Sequence, residues 1–290
     1  MEYIRPATLA DALGILAEHG QDARLLAGGT DLVLEMQIKK VRPRYLIDVS
    51  RLSELRGLSW VLREGAEDLV IGAGTPVRDL EISLQVRERA PVLAQAAGSL
   101  ASVQIRHRAT IGGNISHAAP SADTAPALLA LCCQIEIASP SGRRTMPLEQ
   151  FFVGPGQTVL EPCEIVTSFR VRVCQSTRAS VYIKHSPRRA MDCAVVGVAA
   201  QADLNGSRLS HVRISLASVA PTPVRAYRAE EFLIGAGELT PATMAEAARR
   251  AAQDSRPIDD IRASAAYRRR MVEVNTHRAL ERVLQAGEHR

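Results

Sequence analysis

Apolar and polar positions alternate along this chain in short blocks whose period keeps changing. Leu9, Leu13 and Leu16 recur at helical spacing behind Thr8 and Asp11, a helix-start signature, and Gly20 closes the stretch. An apolar strand over 24–27 then runs straight into Gly28, Gly29, Thr30 and Asp31, and residues 32–40 return to helical spacing. Residues 45–49 predict a strand. Residues 57–63 and 68–73 predict a hairpin across the polar turn REGAED, residues 63–68. The stretch 78–100 is mostly helical, with Pro91 opening a second helix.

A second glycine-rich turn, 109–114, is followed by an apolar helix over 122–131 and by strands over 134–139 and 164–173. The short polar stretch CQSTRAS, residues 174–180, predicts a boundary between units. Beyond it, 180–185, 193–203 and 211–219 predict strands, the last two joined by the hairpin signal Asn205, Gly206. Helices over about 226–234, 241–253 and 262–285 complete the chain. Strands and helices mix without regular alternation, so the pattern predicts an α+β fold rather than a doubly wound sheet.

The length, 290 residues, suits two packed units or one large one. With 46% hydrophobic and 23% charged residues, disorder and collagen-like structure are excluded. One Trp, five Tyr and four Phe count against a protein that grips single strands by base stacking. A net charge of +5 permits anionic partners without arguing for them, and no nucleic-acid role is expected. Asp11 and Glu18 interrupt the first apolar stretch, which is therefore neither a signal peptide nor a membrane span; a cytoplasmic location is expected. The cysteines Cys132, Cys133, Cys163, Cys174 and Cys193 are odd in number. No pair has the C-x-x-C spacing of a zinc, redox or iron–sulfur site, and they read as small buried hydrophobes.

The chemistry gathers at the two glycine turns. A turn that presents several backbone N–H groups to one point is an anion cradle, and adjacent glycines let a phosphate approach closely. Residues 27–31 have that character at a strand end, and they open a helix whose N-terminus adds favourable potential. A plain tight turn explains the same residues. Residues 110–114 repeat the pattern, and two such loops can clamp a pyrophosphate from opposite sides. Neither loop is a G-x-G-x-x-G or Walker sequence, which disfavours a Rossmann site and an ATPase. Residues 71–75 read as a strand end and turn. Asp123 begins the apolar helix, where it serves either as an N-cap or as an acceptor for ligand hydroxyls.

The pair AGGTDL (27–32) and TIGGNISHAAPSADTAPAL (110–128) resembles the FAD-binding (medium) subunit of the molybdenum hydroxylase and xanthine dehydrogenase family. Its PCMH-type FAD-binding domain is related to the vanillyl-alcohol-oxidase flavoproteins. Further stretches agree in order along nearly the whole chain: residues 71–75; Gln104, Ile105 and Arg106; Phe152 with Gly154, Pro155 and Gly156; residues 164–166; Lys184 with 188–192; and residues 218–225. Within the family, RRAMD (188–192) and VAPTPVRA (219–226) look most like the bacterial xanthine-dehydrogenase type.

The resemblance implies an FAD-binding domain of two α+β subdomains, residues 1–176, and a smaller α/β domain with a three-stranded antiparallel sheet, residues 177–290. It implies that Leu25, Leu26, Ala27, Gly28, Gly29, Thr30, Asp31 and Leu32, and from the other side Thr110, Ile111, Gly112, Gly113 and Asn114, all hold the FAD diphosphate through backbone N–H groups. Asp123 would bond the flavin's sugar-like chain, and Leu100 and Val166 would pack on the cofactor. Lys184 matches a basic residue near the flavin ring, where a cation stabilises reduced flavin; its plain reading is an exposed strand-end lysine. No acid–base catalytic residue and no metal are expected on this chain, because the cysteine-bearing insert of some members is missing. The implied partners are a large molybdopterin subunit and a small [2Fe–2S] subunit, in a heterotrimer or its dimer. Electrons would pass from the small subunit's clusters to FAD and on to NAD or another acceptor.

Thr30 and Cys193 depart from the residues that carbon-monoxide-oxidising members often carry, which counts against that activity here. Arg268, Arg269 and Arg270 read as a partner surface or a solvated face. The rival classes are a stand-alone FAD-dependent oxidase or reductase and a non-enzymatic basic binding module.

Overall fold

The computed structural model describes residues 1–63, 66–173 and 178–288. Residues 64–65, inside the predicted hairpin turn, and 174–177, inside the predicted boundary, lie outside the described residues.

The first sheet is parallel. It comes from β1 (Glu2–Ile4), helix α1 (Leu9–His19), β2 (Ala23–Leu26), helix α2 (Leu32–Gln37) and β3 (Tyr45–Asp48), in strand order β1-β3-β2. α1 forms where the sequence predicts. The Asp11 amide donates to Thr8 Oγ1 at 3.1 Å and the Thr8 amide donates to the Asp11 carboxylate at 2.9 Å, satisfying two otherwise orphaned donors. Its buried face, Leu9, Ala12, Leu13 and Leu16, packs on Ile47 of the central strand β3 and on Val49 just beyond it. α2 ends at Gln37 instead of continuing to residue 40, since Lys39 takes a left-handed φ of 61°.

The second sheet has five antiparallel strands. β4 (Leu58–Arg63) and β5 (Ala66–Gly72) lead into six short helices: α3 (Val77–Ile82), α4 (Leu84–Arg89), α5 (Pro91–Ser99), α6 (Val103–Arg108), α7 (Ile111–His117) and α8 (Thr124–Ala130). The remaining strands are β6 (Gln134–Ser139), β7 (Gly142–Pro147), the small pair β8 (Phe152–Gly154) and β9 (Gln157–Thr158), and β10 (Ile165–Val173). The five-stranded order is β4-β5-β10-β6-β7. Two differences from the sequence pattern stand out. The stretch 78–100 is broken at Ser83 and Ala90 into three helices, with Ser83 capping α4 and Pro91 opening α5. The second glycine turn is the first turn of α7, capped by Thr110.

The third sheet is antiparallel: β11 (Arg178–His185), β12 (Val196–Asn205), β13 (Arg208–Ala217) and the two-residue β14 (Val224–Arg225). β14 adds a fourth strand to the three expected; it is too short to leave a periodic signal. Gly206, at φ 62°, makes the predicted hairpin turn. Helices α9 (Tyr227–Ala236), α10 (Pro241–Asp254) and α11 (Ala265–Glu288) cover one face. Strand alternation then divides the sheet. Val196, Val198 and Ala200 face those helices, while Ala199 and Tyr182 face the core around α5 and α8. Arg268 corrects the reading of the basic run as wholly surface: its guanidinium is buried and donates to the carbonyls of Val195 (2.8 Å) and Ser218 (2.9 Å) and to Asp260. Arg269 and Arg270 are exposed.

Candidate functional site

A cavity of about 1020 Å³ lies between the first two sheets and is bounded on its far side by the segment 188–193, which joins β11 to β12. β2 delivers one wall. At its end the chain turns through Ala27 and Gly28, and Gly29, at φ 76°, reverses it into α2. Gly28 has no room for a side chain, since a Cβ would lie 2.1 Å from the carbonyl oxygen of Arg108. The two glycine loops therefore touch backbone to backbone. Among the described residues, no acceptor meets the amides of residues 28–32; the Val33 amide is the first to find one, the Gly29 carbonyl at 3.1 Å.

The opposing loop is built differently. The Ile111 amide donates to the Thr75 carbonyl (3.0 Å) and the Gly112 amide to the Ala73 carbonyl (2.7 Å). The Gly113 amide donates to Thr110 Oγ1 (3.1 Å) and the Asn114 amide to the Thr110 carbonyl (2.9 Å). This corrects the expectation that the loop's backbone N–H groups hold a diphosphate: the amides of 111–114 are spent on the turn at 72–75 and on the loop's own cap. What it offers the cavity is side-chain chemistry. Thr124 Oγ1 donates to Asn114 Oδ1 at 2.6 Å, which leaves the Asn114 NH₂ group as the available donor, and the Thr110 hydroxyl still carries its own proton.

Of the residues singled out in the sequence, Leu25, Ala27, Gly28, Thr30, Asp31, Leu32, Leu100, Thr110, Gly112, Gly113, Asn114, Asp123 and Val166 line this cavity. Leu26, Gly29, Ile111 and Lys184 do not. Leu26 lies under the Gly29 turn, and Ile111 is fully buried in the core. Lys184 stands behind Asp123: its Nζ donates to Asp123 Oδ2 (2.8 Å) and to the Ser99 carbonyl (2.9 Å). With a side chain only 11% exposed, it is not a surface lysine. Asp123 makes no capping bond to α8; its carboxylate accepts from Lys184 and from the Tyr182 hydroxyl (2.8 Å). Burial pushes the Asp123 carboxyl upward, against the pull of both donors.

Three further contributors complete the site: the sequence marks Arg106 and residues 188–193 only as family-like stretches without a role, and Tyr182 not at all. Arg106 grips Glu81 with Nε (2.7 Å) and Nη2 (3.1 Å), while Nη1 donates to the carbonyls of Leu100 (2.8 Å) and Ala101 (3.3 Å). This bidentate pair pins the bend that carries Leu100 into the cavity, where Ala101 takes a positive φ of 41°. Burial raises the Glu81 carboxyl, but Arg106 and Arg78 more than offset it and hold it below the usual range. Tyr182, on the neighbouring sheet, is the second. The third is the segment 188–193, whose Arg188, Met191, Asp192 and Cys193 close the cavity from the C-terminal side. Among the described residues no group of three or more His, Cys, Asp or Glu side chains is placed to hold a metal.

Open amides opposite a hydroxyl and a carboxamide, a buried carboxylate, and an apolar wall with Leu100, Ile105, Leu160 and Val166 make a site for a long ligand with an anionic middle and a hydroxylated arm. FAD has those parts, and a cavity of this size accommodates it. The family described as the FAD binding domain in molybdopterin dehydrogenase matches residues 1–172, and the CO dehydrogenase flavoprotein C-terminal domain matches residues 181–283. The chain belongs to the FAD-binding subunits of the molybdenum hydroxylase family, the oxidoreductases of carbon monoxide and xanthine dehydrogenase type, and its cofactor is FAD.

It is 37% identical over 279 residues to the carbon monoxide dehydrogenase medium chain of Hydrogenophaga pseudoflava, covering 96% of this chain and 95% of that one. It is 35% identical over 286 residues to the xanthine dehydrogenase FAD-binding subunit of Escherichia coli O157:H7, covering 98% and 96%. The solved carbon monoxide dehydrogenase from Hydrogenophaga pseudoflava superposes with a TM-score of 0.93 at 36% identity, over 99% of this chain and 98% of that one.

Proposed function

We propose that this chain is the flavin subunit of a three-component hydroxylase, working with a large molybdopterin subunit and a small [2Fe–2S] subunit in a heterotrimer or its dimer, with NAD or another acceptor as the electron outlet. Relatives named as a medium chain and as an FAD-binding subunit support that reading. No described helix is long and apolar enough to cross a membrane. Bound FAD supplies one- and two-electron transfer; the protein supplies binding, orientation and polarity.

The residues divide that work. The open amides of 28–32 take the diphosphate, aided by Thr110 and Asn114 from the facing loop. Asp123 accepts hydrogen bonds from the hydroxylated chain, and Leu100 and Val166 give the apolar contact that excludes water. Lys184 acts on the cavity through Asp123, so its charge reaches the flavin partly neutralised. The domain division at 1–176 and 177–290 is part of the same reading, supported by family matches that end at 172 and resume at 181. Relatives of both names match at nearly equal identity, so the choice of the xanthine-dehydrogenase type over carbon monoxide oxidation rests on residues 188–192 and 219–226 and on Thr30 and Cys193.

The observation that carries the site assignment is the run of amides at 28–32 that meet no acceptor among the described residues, in a loop whose Gly28, Thr30, Asp31 and Leu32 line the cavity. Expression of the tagged chain with its two partner subunits is expected to yield a yellow complex containing FAD, iron and molybdenum. A chain that stays colourless after incubation with FAD overturns the cofactor assignment. Substrate turnover by the isolated flavoprotein, free of iron and molybdenum, overturns the three-component reading.

A further inference from the structure

Behind Asp123 the third sheet is tied to α5 by three bonds in succession. The Val92 amide donates to Ser180 Oγ (3.3 Å), the Tyr182 amide to Gln95 Oε1 (2.8 Å), and Lys184 Nζ to the Ser99 carbonyl (2.9 Å). Tyr182 is thereby aimed from β11 into the core of the five-stranded unit, 5% exposed, with its hydroxyl 2.8 Å from Asp123 Oδ1. We propose that Tyr182 is a positioning residue for Asp123, and that Gly197 provides the space for its hydroxyl, so that the carboxylate selects a hydroxylated segment of the cofactor.

The geometry of the carboxylate carries this. Each oxygen is bonded once from behind, Oδ1 by Tyr182 and Oδ2 by Lys184, so the group cannot turn. A carboxylate has about four lone-pair sites, so two donors leave acceptor capacity at the cavity that Asp123 lines. They accept from hydroxyl donors and repel phosphate oxygens. A lysine alone would leave one oxygen free to rotate toward other partners. Burial pushes the Tyr182 phenol well above its ordinary value, which keeps it a neutral donor.

Gly197 supplies independent support. It pairs with Lys184 across the β11–β12 ladder, which sets it diagonal to Tyr182 on the same face. Its backbone does not need a left-handed conformation, yet glycine in a strand interior weakens the strand. A Cβ there would lie 2.7 Å from the Tyr182 hydroxyl oxygen and 3.3 Å from Ala217 Cβ. Space for the tyrosine accounts for this glycine.

The proposal rests on the FAD reading of the cavity, and a comparison of FAD with ADP separates the two. ADP carries the diphosphate and lacks the flavin's hydroxylated chain. In the full chain stripped of flavin, Tyr182→Phe is expected to weaken FAD binding about tenfold, the loss of one hydrogen bond to a charged group, and to leave ADP affinity unchanged. Gly197→Ala is expected to weaken FAD in the parent chain and to add nothing in the Tyr182→Phe background, where the atom it strikes is gone. Equal losses for FAD and ADP, an unchanged FAD affinity in Tyr182→Phe, or additive losses in the double variant each overturn the positioning role. A parent chain that binds neither ligand overturns the cavity reading itself. Thermal unfolding of each variant confirms that it is folded, and Tyr182→Phe keeps the ring that packs the core.

Discussion

In loop 27–32 the amides of residues 28–32 meet no acceptor among the described residues, whereas in loop 110–114 the amides of residues 111–114 are all spent inside the fold. Both loops carry a Gly-Gly pair after a strand or turn, and both abut the same cavity. The difference comes from what each loop starts. Loop 27–32 crosses from β2 to α2 through a glycine at φ 76°, outside regular geometry, so no helical or strand pattern takes up its donors. Loop 110–114 is the capped first turn of α7, laid over the shelf at 72–75, and regular capping consumes its donors. A glycine pair therefore marks close backbone approach in both loops and an open anion cradle in only one.

The sharpest test of that contrast is steric. Gly28→Ala puts a Cβ 2.1 Å from the Arg108 carbonyl oxygen, and Gly112→Ala puts one 2.7 Å from the Ala73 carbonyl. Both contacts are to backbone, so each substitution should cost about 2–3 kcal/mol of stability. Gly28→Ala should also abolish FAD retention, as read by flavin absorbance after gel filtration. Equal stability with flavin retained would mean the loops are not interlocked.

A smaller effect separates capped from open. Thr110→Val removes the acceptor of the Gly113 amide and should cost the flavin-free chain about 1 kcal/mol in thermal unfolding. Thr30→Val, in the loop with no internal cap, should leave the flavin-free chain's melting temperature unchanged. Matching losses would show that loop 27–32 is held by bonds of its own.

The smallest effect concerns the cavity wall away from both loops. Arg144, bonded to Glu164 at 2.7 Å and 2.8 Å, holds the Glu164 carboxyl below its ordinary value. Glu164's contribution to stability is complete above its unfolded value of 4.5 and disappears as the pH falls through the lower folded value. Glu164→Gln should therefore flatten the acid limb of the stability profile and leave neutral-pH FAD affinity within twofold of the parent, as acid titration of the melting temperature and a flavin titration at pH 7 will show. A steep loss of FAD binding at neutral pH would tie this wall to the cradle.

Much of the fold was legible because its signals are local. The Thr8 and Asp11 box, the Pro91 helix start, the alternation over 134–139 and the Asn205, Gly206 turn each act within a few residues. β1, β7 and β14 left no pattern, being edge or very short strands. At the site, the glycine loops, Asp123 and the two apolar wall residues were legible as motif, and the roles of Arg106 and Tyr182 were not. Arg106 looks like any arginine of a basic hexapeptide until its fork meets Glu81 from α3 and two carbonyls from the preceding bend. The sequence leaves Lys184 open between a cation beside the flavin and an exposed strand-end lysine; its ammonium is internal, bonded to Asp123 and the Ser99 carbonyl.

The family, the cofactor class and the positions where backbone must pass close to backbone are legible along the chain, because glycine spacing and capping residues write those constraints locally. Which amides stay open and which side chains stand behind Asp123 follow from packing alone. Those depend on contacts between segments far apart in the chain: the Ala73 and Thr75 carbonyls that take the amides of Gly112 and Ile111, and the β11 strand that carries Tyr182 and Lys184 across to α8. A donor's availability is set by what already accepts from it, and that is a property of the packed molecule.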